Sequence, residues 1–473
     1  MGVTHKPHSK PHGHARPKKS PNKDPLFTKE MAKTAAIWLL ILVGCVAILF
    51  AALNYAFQKI PFQVLAPVTR AQLAYQFRAM IEGDELPDTV DLSTWSGVKK
   101  LTPRYTIDDR YQAFADDLLH QYKPDFSALV AIEAETGRVV AMSSFSRTQH
   151  YFGSLTLKAV FPAASVFKVV TATSAIDAHQ LTPDSVITFR GGNHTLYKRN
   201  LSEGGKNLWM RQMSLRDAFA KSINTVFGKL AAFIVKPDEL LTYAERYRFN
   251  KTLSADFPVQ TGRFDISNAD SFALAELGSG FNRIVQISPV QGALMAAAIV
   301  NDGKLMAPYL VDSLKDDKGE QVYEGRPSPL ADVMSKASAE HMRTLMRETV
   351  VRGTSRKAFR DWIRKPKANE VEVGGKTGSL KDEILRGKCD WFVGYGIRGN
   401  RKLAVAVLTV HENVWRVKSS TVARLFLEKY LDTAMDRSLI APEDDGGEDE
   451  EEDTTAPVNQ AVGQDTLRAP TNE

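Results

Sequence analysis

The chain has 473 residues, of which 43% are apolar and 25% charged, a composition that excludes a disordered or fibrous protein. Its two cysteines, Cys45 and Cys389, are too few for a disulfide framework or a cysteine-rich metal site. The net charge of +6 is unevenly distributed: residues 1–33 carry +6, residues 34–442 carry +10 and residues 443–473 carry −10. The basic central part, residues 34–442, could bind any polyanion and not nucleic acid alone.

The first predicted element is a transmembrane helix over residues 34–57. Ala35 to Leu53 contain nineteen residues without a charge, and the apolar run continues to Phe57. At 1.5 Å per residue this length spans the roughly 30 Å hydrocarbon core of a bilayer. Eight Lys and Arg residues precede it, so we expect a cytoplasmic N-terminus and residues 58 onward outside. A cleaved signal peptide is the alternative, but the run is longer than a signal h-region.

Both ends of the chain are predicted to be disordered. Residues 441–473 contain the acidic run Glu443 to Asp453, which is typical of a solvated tail. Residues 1–33 form a basic tail, for which metal binding is the alternative interpretation. That alternative rests on four histidines: His5, His8, His12 and His14.

Between the tails we predict a juxtamembrane stalk over residues 58–102 and a folded domain over residues 103–440. Residues 66–83 have helical spacing. Asp108 is positioned to cap the next helix, in which apolar residues recur every three or four positions as far as Leu119. The segment SALVAIEAETGRVVAM then predicts two strands joined by a turn at Glu135 to Gly137.

The C-terminal third predicts two buried helices, three strands and a closing helix. SPVQGALMAAAIVNDG is a helix ended by Gly303, and MRTLMRETVVRGT is a helix ending near Gly353. VEVGGKTGSL, CDWFVGYGI and KLAVAVLTVHE have the composition of strands, the last two joined through Gly399 and Asn400, and VARLFLEKYLDTAM is a helix. Strands at both ends around a helical middle predict an α+β fold in which both parts share one antiparallel sheet.

The pattern S-x-x-K occurs at Ser20, Ser96 and Ser165, and only Ser165 opens a long apolar helix, predicted from about Ala164 to Ala178. The three-residue spacing places Ser165 and Lys168 on one helix face. A buried lysine close to other cations can lose its proton near pH 7 and act as a base for the serine. The alternative is a helix-capping serine followed by a solvated lysine.

A second motif, S-I-N, spans Ser222 to Asn224 in AFAKSINTVFGKL, between two apolar helical stretches. A hydroxyl and a carboxamide on one tight turn can relay a proton and bind a substrate amide. The alternative is an ordinary helix cap.

A third motif, K-T-G-S, spans Lys376 to Ser379 on a predicted strand. Gly378 allows another backbone to approach the strand closely, and Lys376 and Thr377 can hold an anionic carboxylate. The alternative is a strand end with a turn glycine.

In this order, and on a helix, a turn and a strand, the three motifs resemble the signature of penicillin-binding proteins and serine β-lactamases. Residues 103–432 resemble the penicillin-binding protein transpeptidase domain, which implies an antiparallel sheet flanked by helices plus an all-helical subdomain. The family often has Pro-Gly before the nucleophile, whereas Ala163 and Ala164 separate Pro162 from Ser165 here. We expect this departure to alter the turn and not the chemistry.

The resemblance implies that Ser165 attacks the penultimate D-Ala of a peptidoglycan stem peptide and forms an acyl-enzyme. Lys168 is then the base, Ser222 relays the proton to the leaving amine, and Asn224 orients the substrate amide. Backbone N–H groups of Ser165 and Ser379 would form the oxyanion hole. The residues implied to bind the terminal carboxylate are Lys376, Thr377 and Ser379, with Gly378 between them.

The resemblance further implies no cofactor and no metal. The expected partners are stem peptides, β-lactams as inhibitors and proteins of a cell-wall synthesis complex, with no nucleic acid. The implied location is the bacterial inner (plasma) membrane, crossed once. About 45 residues separate Phe57 from the resembling region, too few for a glycosyltransferase domain, so we expect a monofunctional transpeptidase.

Three alternatives stay open at this level. A D,D-carboxypeptidase or a β-lactamase would form the same ester and differ only in deacylation. A β-lactamase needs a carboxylate to activate water, and the nearest candidate, Glu276 in ALAELGSG, is predicted to be a helix residue before a glycine turn. A penicillin-binding sensor or scaffold without turnover is the third alternative.

Overall fold

A computed structural model of the chain describes residues 29–59, 68–83, 85–94, 97–147, 154–201, 210–365, 370–382 and 387–432. The predicted acidic tail and most of the predicted basic tail lie outside these residues, as do Ser20 and Ser96. The described residues divide into two compact units: those within 1–69 and 91–100, and those within 70–90 and 101–432.

The first unit contains helix α1 (Lys29–Lys59), which begins five residues before the predicted transmembrane segment and ends two residues after it. Its apolar side chains from Ile37 to Phe50 are exposed. By length and composition, Lys33–Ala51 can cross a membrane.

The remaining helices alternate with short strands in the middle of the chain and with long strands at its C-terminal end. The helices are α2 (Arg70–Gln76), α3 (Asp109–Tyr122), α4 (Lys168–Asp177), α5 (Leu215–Ala220), α6 (Asn224–Lys229), α7 (Pro237–Arg246), α8 (Ser271–Ser279), α9 (Pro289–Val300), α10 (Lys336–Val351), α11 (Arg356–Ile363) and α12 (Ser419–Asp432). The strands are β1 (Val90–Thr94), β2 (Gly97–Tyr105), β3 (Phe126–Glu133), β4 (Val139–Ser146), β5 (Phe161–Pro162), β6 (Val186–Phe189), β7 (Arg211–Ser214), β8 (Gln286–Ile287), β9 (Lys304–Met306), β10 (Val311–Lys315), β11 (Gln321–Glu324), β12 (Pro329–Asp332), β13 (Val371–Asp382), β14 (Gly387–Arg398) and β15 (Arg401–His411).

A five-stranded antiparallel sheet organises the second unit, with the strand order β13-β14-β15-β3-β4. The pairing of β15 with β3 joins the C-terminal strands to the N-terminal hairpin, from Leu403 opposite Glu133 to Val410 opposite Phe126. This confirms the prediction that both ends of the domain share one sheet. Strands β3, β14 and β15 are buried along most of their length, because helices cover both sheet faces.

Helices α3, α11 and α12 cover one face of this sheet, and α9 packs against the other. On the first face the aromatic rings of Tyr111, Phe359, Phe392 and Phe426 belong to one continuous apolar cluster. On the second face all twelve residues of α9 are buried. The sheet therefore lies between two helical layers.

The middle of the chain forms the helical part of the unit, where α4 packs against α6, α7, α8 and α10. Two short ladders, β5 with β8 and β6 with β7, accompany these helices, so the predicted all-helical subdomain also contains strands. Two smaller sets of antiparallel pairings, β2-β10-β11 and β12-β9, were not predicted either.

Several local predictions are confirmed in detail. Asp108 caps α3 and accepts a hydrogen bond from the backbone N–H of Arg110 at 3.0 Å. Gly137 turns the β3–β4 hairpin with φ +81°. In the predicted stalk segment, α2 is followed by a 3₁₀ turn (Phe77–Ile81), and the buried side chains of Leu73 and Phe77 pack this segment into the second unit.

Candidate active site

Ser165 lies in a 3₁₀ turn (Ala164–Phe167) that leads directly into α4. Its Oγ is 2.7 Å from Nζ of Lys168, the first residue of α4. The predicted pairing of these two side chains on one helical face is therefore present. Most of α4 is buried, and Lys168 itself is completely inaccessible to solvent.

The surroundings of Lys168 suit a neutral amine. Besides Ser165 Oγ, its Nζ contacts Asn224 Oδ1 at 2.7 Å and the carbonyl oxygen of Ser279 at 2.5 Å. These last two oxygens can only accept hydrogen bonds, so they take both N–H groups of a neutral amine, and its lone pair is left for the Ser165 hydroxyl. Burial holds the pKa of Lys168 well below its usual range, and the charge of Lys376 lowers it further.

Ala164 and Gly280, two residues with a left-handed backbone conformation, lie against each other at the turn before the nucleophile. Ala164 has φ +47°, a conformation that glycine adopts freely and that strains an alanine by roughly 1–2 kcal/mol. Gly280, the C-cap of α8, has φ +68°, and a Cβ built on it would lie 1.9 Å from the carbonyl oxygen of Ala164. The end of α8 thus packs directly on the peptide that precedes Ser165.

The S-I-N motif forms the turn between α5 and α6, as predicted. Ser222 also adopts a left-handed conformation, with φ +55°. Asn224 is the first residue of α6, and its Nδ2 donates to the carbonyl oxygen of His194 at 2.8 Å. This contact fixes the amide so that Oδ1 points to Lys168.

The K-T-G-S motif lies within β13, next to the S-I-N turn. Lys376 is fully buried, and its Nζ contacts Ser222 Oγ at 2.9 Å and the Thr377 carbonyl oxygen at 2.8 Å. Burial lowers the pKa of Lys376 to about 7, so its amine is close to half-protonated at neutral pH. The hydroxyl of Thr377 is hydrogen-bonded to that of Thr354.

Gly378 lies against the nucleophile segment. A Cβ built on it would be 3.2 Å from both the Ala163 carbonyl oxygen and the Val166 nitrogen. Sequence reasoning attributed this glycine to the approach of a substrate backbone, and the structure adds the close approach of β13 to the turn that carries Ser165.

A cavity of about 320 Å³ joins the three motifs. Six of the eight predicted site residues line it: Ser165, Ser222, Asn224, Thr377, Gly378 and Ser379. The other two, Lys168 and Lys376, are buried and hydrogen-bonded to Ser165 and Ser222 respectively. Glu276 lies on α8 ahead of Gly280, as predicted, and is not among the lining residues.

Sequence reasoning missed the rest of the lining, which comes from loops and strand ends outside the motifs. Thr354 directly follows Gly353, near which a helix is predicted to end, and it belongs to none of the three motifs. The other missed lining residues are His194, Gly280, Phe281, Leu380, Lys388, Asp390, Trp415, Lys418 and Ser420.

Comparison with known proteins places this geometry in a family. Residues 127–431 match the model of the penicillin binding protein transpeptidase domain. The peptidoglycan D,D-transpeptidase PbpA of Mycobacterium tuberculosis is 26% identical over 339 residues, which cover 64% of this chain and 66% of PbpA. Stage V sporulation protein D of Bacillus subtilis is 24% identical over 327 residues, covering 65% of this chain and 48% of that protein. The chain thus spans 48% to 66% of the length of these relatives.

Solved structures show the same fold. Penicillin binding protein 3 of M. tuberculosis in its apo form has a TM-score of 0.60 and 18% identity, and the match covers 75% of this chain and 88% of that one. Penicillin-binding protein A of M. tuberculosis, in an imipenem acyl-enzyme complex, has a TM-score of 0.56 and 22% identity, covering 70% and 79%. The chain belongs to the family of penicillin binding protein transpeptidase domains.

Proposed function

We propose that this protein is a D,D-transpeptidase that cross-links peptidoglycan stem peptides through an acyl-enzyme on Ser165. The observation that carries the proposal is the contact between Ser165 Oγ and the buried amine of Lys168, at 2.7 Å. A serine needs a base to become a nucleophile, and a lysine whose pKa is depressed by burial supplies one. The match to PbpA, a peptidoglycan D,D-transpeptidase, supports the same activity.

In the proposed acylation, Ser165 Oγ attacks the carbonyl carbon of the penultimate D-Ala, and its proton passes to Lys168 Nζ. The peptide C–N bond then breaks, and the leaving D-Ala amine takes up a proton through Ser222 Oγ. Ser222 is suited to this relay because its hydroxyl is hydrogen-bonded to Lys376 and lines the cavity. The products are a Ser165 ester and free D-Ala.

The strand β13 would position the substrate. Thr377 and Ser379 line the cavity on either side of Gly378, which packs against the nucleophile turn. We assign Thr377 and Ser379 to the terminal carboxylate of the peptide, with the Lys376 amine behind them. Backbone N–H groups of Ser165 and Ser379 are the proposed oxyanion donors.

Deacylation separates a transpeptidase from a β-lactamase. Among the described lining residues, only Asp390 carries a carboxylate, and its Oδ2 accepts a hydrogen bond from the Ser419 N–H at 2.9 Å. With Glu276 outside the lining, no free carboxylate of the described residues is aligned to activate water at the Ser165 ester. We therefore propose that the ester persists until an amine acceptor attacks it.

The test uses the full-length protein in detergent, a pentapeptide ending in D-Ala-D-Ala and glycine as the amine acceptor. Mass spectrometry should detect the peptide with its terminal D-Ala replaced by glycine. Ser165→Ala should abolish this product. Ser174→Ala is the matched control, because Ser174 lies on the same helix and its buried Oγ has no hydrogen-bond partner among the described residues. Release of D-Ala to water alone, at any glycine concentration, would indicate a carboxypeptidase.

We further propose that α1 anchors the protein in the bacterial plasma membrane, with the N-terminus in the cytoplasm and the cavity outside. The support is the apolar Lys33–Ala51 stretch together with the eight basic residues within positions 1–33. An enzyme reporter that is active only outside the cytoplasm should work when fused after residue 442. Activity of a strictly cytoplasmic reporter at that position would show the opposite orientation.

A further inference from the structure

The active-site cavity continues beyond the three motifs, toward the end of β13. Its far wall is lined by Leu380, Lys388, Trp415 and Lys418. Lys388 lies near the start of β14, whereas Trp415 and Lys418 lie between β15 and α12. None of these residues belongs to a motif.

The two lysines gather around the Trp415 ring. Nζ of Lys388 is 4.6 Å from the ring centroid, and Nζ of Lys418 is 5.6 Å from it. The buried His411 supports the same ring, with centroids 5.5 Å apart and planes 22° apart. The tryptophan thus holds two cationic groups at the wall of the cavity, in an arrangement that concentrates positive charge there.

The charges of both lysines act on Asp390, the one acid among the described lining residues, but neither lysine forms an ion pair with it. Asp390 is buried, and its Oδ2 accepts from the Ser419 N–H. Among the ion pairs of the described residues, none within 4.0 Å involves Lys388 or Lys418. Because Lys388 and Lys418 are exposed and Asp390 already accepts a hydrogen bond from Ser419, the far wall of the cavity can bind an anion.

The register of the sheet sets the distance between this wall and the motifs. Ser379 pairs with Asp390 and Lys381 pairs with Lys388, so Lys388 lies on the same sheet face as Ser379 and Thr377. From Thr377 to Lys381 the strand advances four residues, or about 13 Å. Gly378, which packs on the nucleophile turn, lies within this interval.

We propose that Lys388, Lys418 and Trp415 form an anion subsite for a carboxylate on a residue that precedes D-Ala-D-Ala in the donor peptide. The inference rests on the proposed function, in which the terminal carboxylate lies at Thr377 and the scissile carbonyl at Ser165. An extended peptide advances about 3.5 Å per residue, so a glutamate-sized side chain one or two residues upstream reaches the far wall. The subsite makes the enzyme selective for donors with a free upstream carboxylate.

The experiment measures how well peptides compete with penicillin for the full-length protein in detergent, because competition does not depend on turnover. Two matched pairs serve as probes: acetyl-Glu-D-Ala-D-Ala with its Gln analogue, and acetyl-Glu-Ala-D-Ala-D-Ala with its Gln analogue. In one pair at least, the Glu peptide should slow penicillin acylation at about five-fold lower concentration than the Gln peptide. The pair that shows the difference locates the carboxylate. The difference should shrink at 0.5 M NaCl, because exposed charges are screened.

In the variant Lys388→Met/Lys418→Met, the Glu and Gln peptides should compete with penicillin equally well. In Lys388→Arg/Lys418→Arg, the Glu peptide should still compete better than the Gln peptide. Lys318→Met/Lys357→Met removes two exposed lysines elsewhere and should leave the ratio as in the wild type. Attachment of penicillin in every variant shows that the protein is folded. Equal competition by Glu and Gln peptides in both pairs, an absence of competition, or a ratio that survives the double Met variant would overturn the inference. Failure of penicillin to attach to wild-type Ser165 would instead overturn the proposed function.

Discussion

The buried amine of Lys376 predicts a stability that depends on pH. Burial lowers its pKa from the ordinary 10.5 to about 7 in the folded protein, and the unfolded chain regains the ordinary value. Between pH 7 and pH 10.5 the unfolded state therefore binds more protons than the folded state. The free energy of unfolding must rise with pH in this window and fall as pH drops toward 7, by up to about 1.4 kcal/mol per pH unit.

Replacement of Lys376 by Met removes this titration and keeps the linear side chain. Integrated from pH 7 to pH 9 with the folded-state pKa near 7, the wild type should gain about 2 kcal/mol relative to Lys376→Met. The variant also loses the Nζ contacts to Ser222 Oγ and to the Thr377 carbonyl oxygen. That loss is a constant offset of about 1 kcal/mol per contact, so the pH-dependent part stays separable.

Thermal unfolding of the full-length protein in detergent, followed by tryptophan fluorescence at pH 7 and pH 9, measures this difference. The gap in Tm between wild type and Lys376→Met should shift by about 4 °C in favour of the wild type at pH 9. Lys357→Met, which replaces an exposed lysine on α11, should follow the wild type at both pH values. A gap that is equal at the two pH values, or that moves in favour of the variant, would refute the account of a desolvated amine.

Three further predictions concern the base, the nucleophile turn and a helix cap. Lys168→Met should lower the rate of penicillin acylation at pH 7 by about 10²- to 10⁴-fold, because the serine loses its base. The rate is measured by mass spectrometry of samples quenched at successive times, and a rate within ten-fold of the wild type would contradict the role of Lys168. Gly280→Ala should destabilise the protein by at least about 2 kcal/mol in thermal unfolding, since a Cβ at this position would lie 1.9 Å from the Ala164 carbonyl oxygen and φ is +68°. An unchanged Tm would show that the turn rearranges to accept the Cβ at little cost in free energy. Asp108→Ala should lower stability by about 1 kcal/mol through loss of the α3 cap, with Asp108→Asn as the near-neutral control, and equal loss in both variants would argue against capping.

The parts of the fold that the sequence predicts well are those with a strong local signal. The strands β14 and β15 carry long apolar stretches joined by a turn at Gly399, and these strands and β13 lie where expected. Asp108 and Gly137 are local signals of the same kind. The short strands of the small sheets have no comparable pattern, and some of them pair with a partner far away in the sequence. The pairing of β2 with β10 is one example.

The candidate site divides in the same way. Ser165 and Lys168 meet because a spacing of three residues on a helix brings side chains together in any context. The left-handed φ of Ala164 could not be predicted from the sequence, because alanine rarely adopts that conformation. Lys388 and Trp415 are separated by 27 positions, and they meet only because the β14–β15 register places Lys388 opposite His411. Such contacts follow from tertiary structure and cannot be obtained from motif spacing.

The central claim is that Ser165 is the nucleophile of a penicillin-recognising acyltransferase, and intact mass spectrometry of the penicillin-treated protein tests it most directly. The full-length protein should gain the mass of one penicillin molecule, peptide mapping should place the adduct on Ser165, and the adduct should persist for many minutes. Ser165→Ala should gain no mass, whereas Ser174→Ala should be acylated like the wild type. An adduct that survives in Ser165→Ala, or that maps to Ser96, would contradict the account.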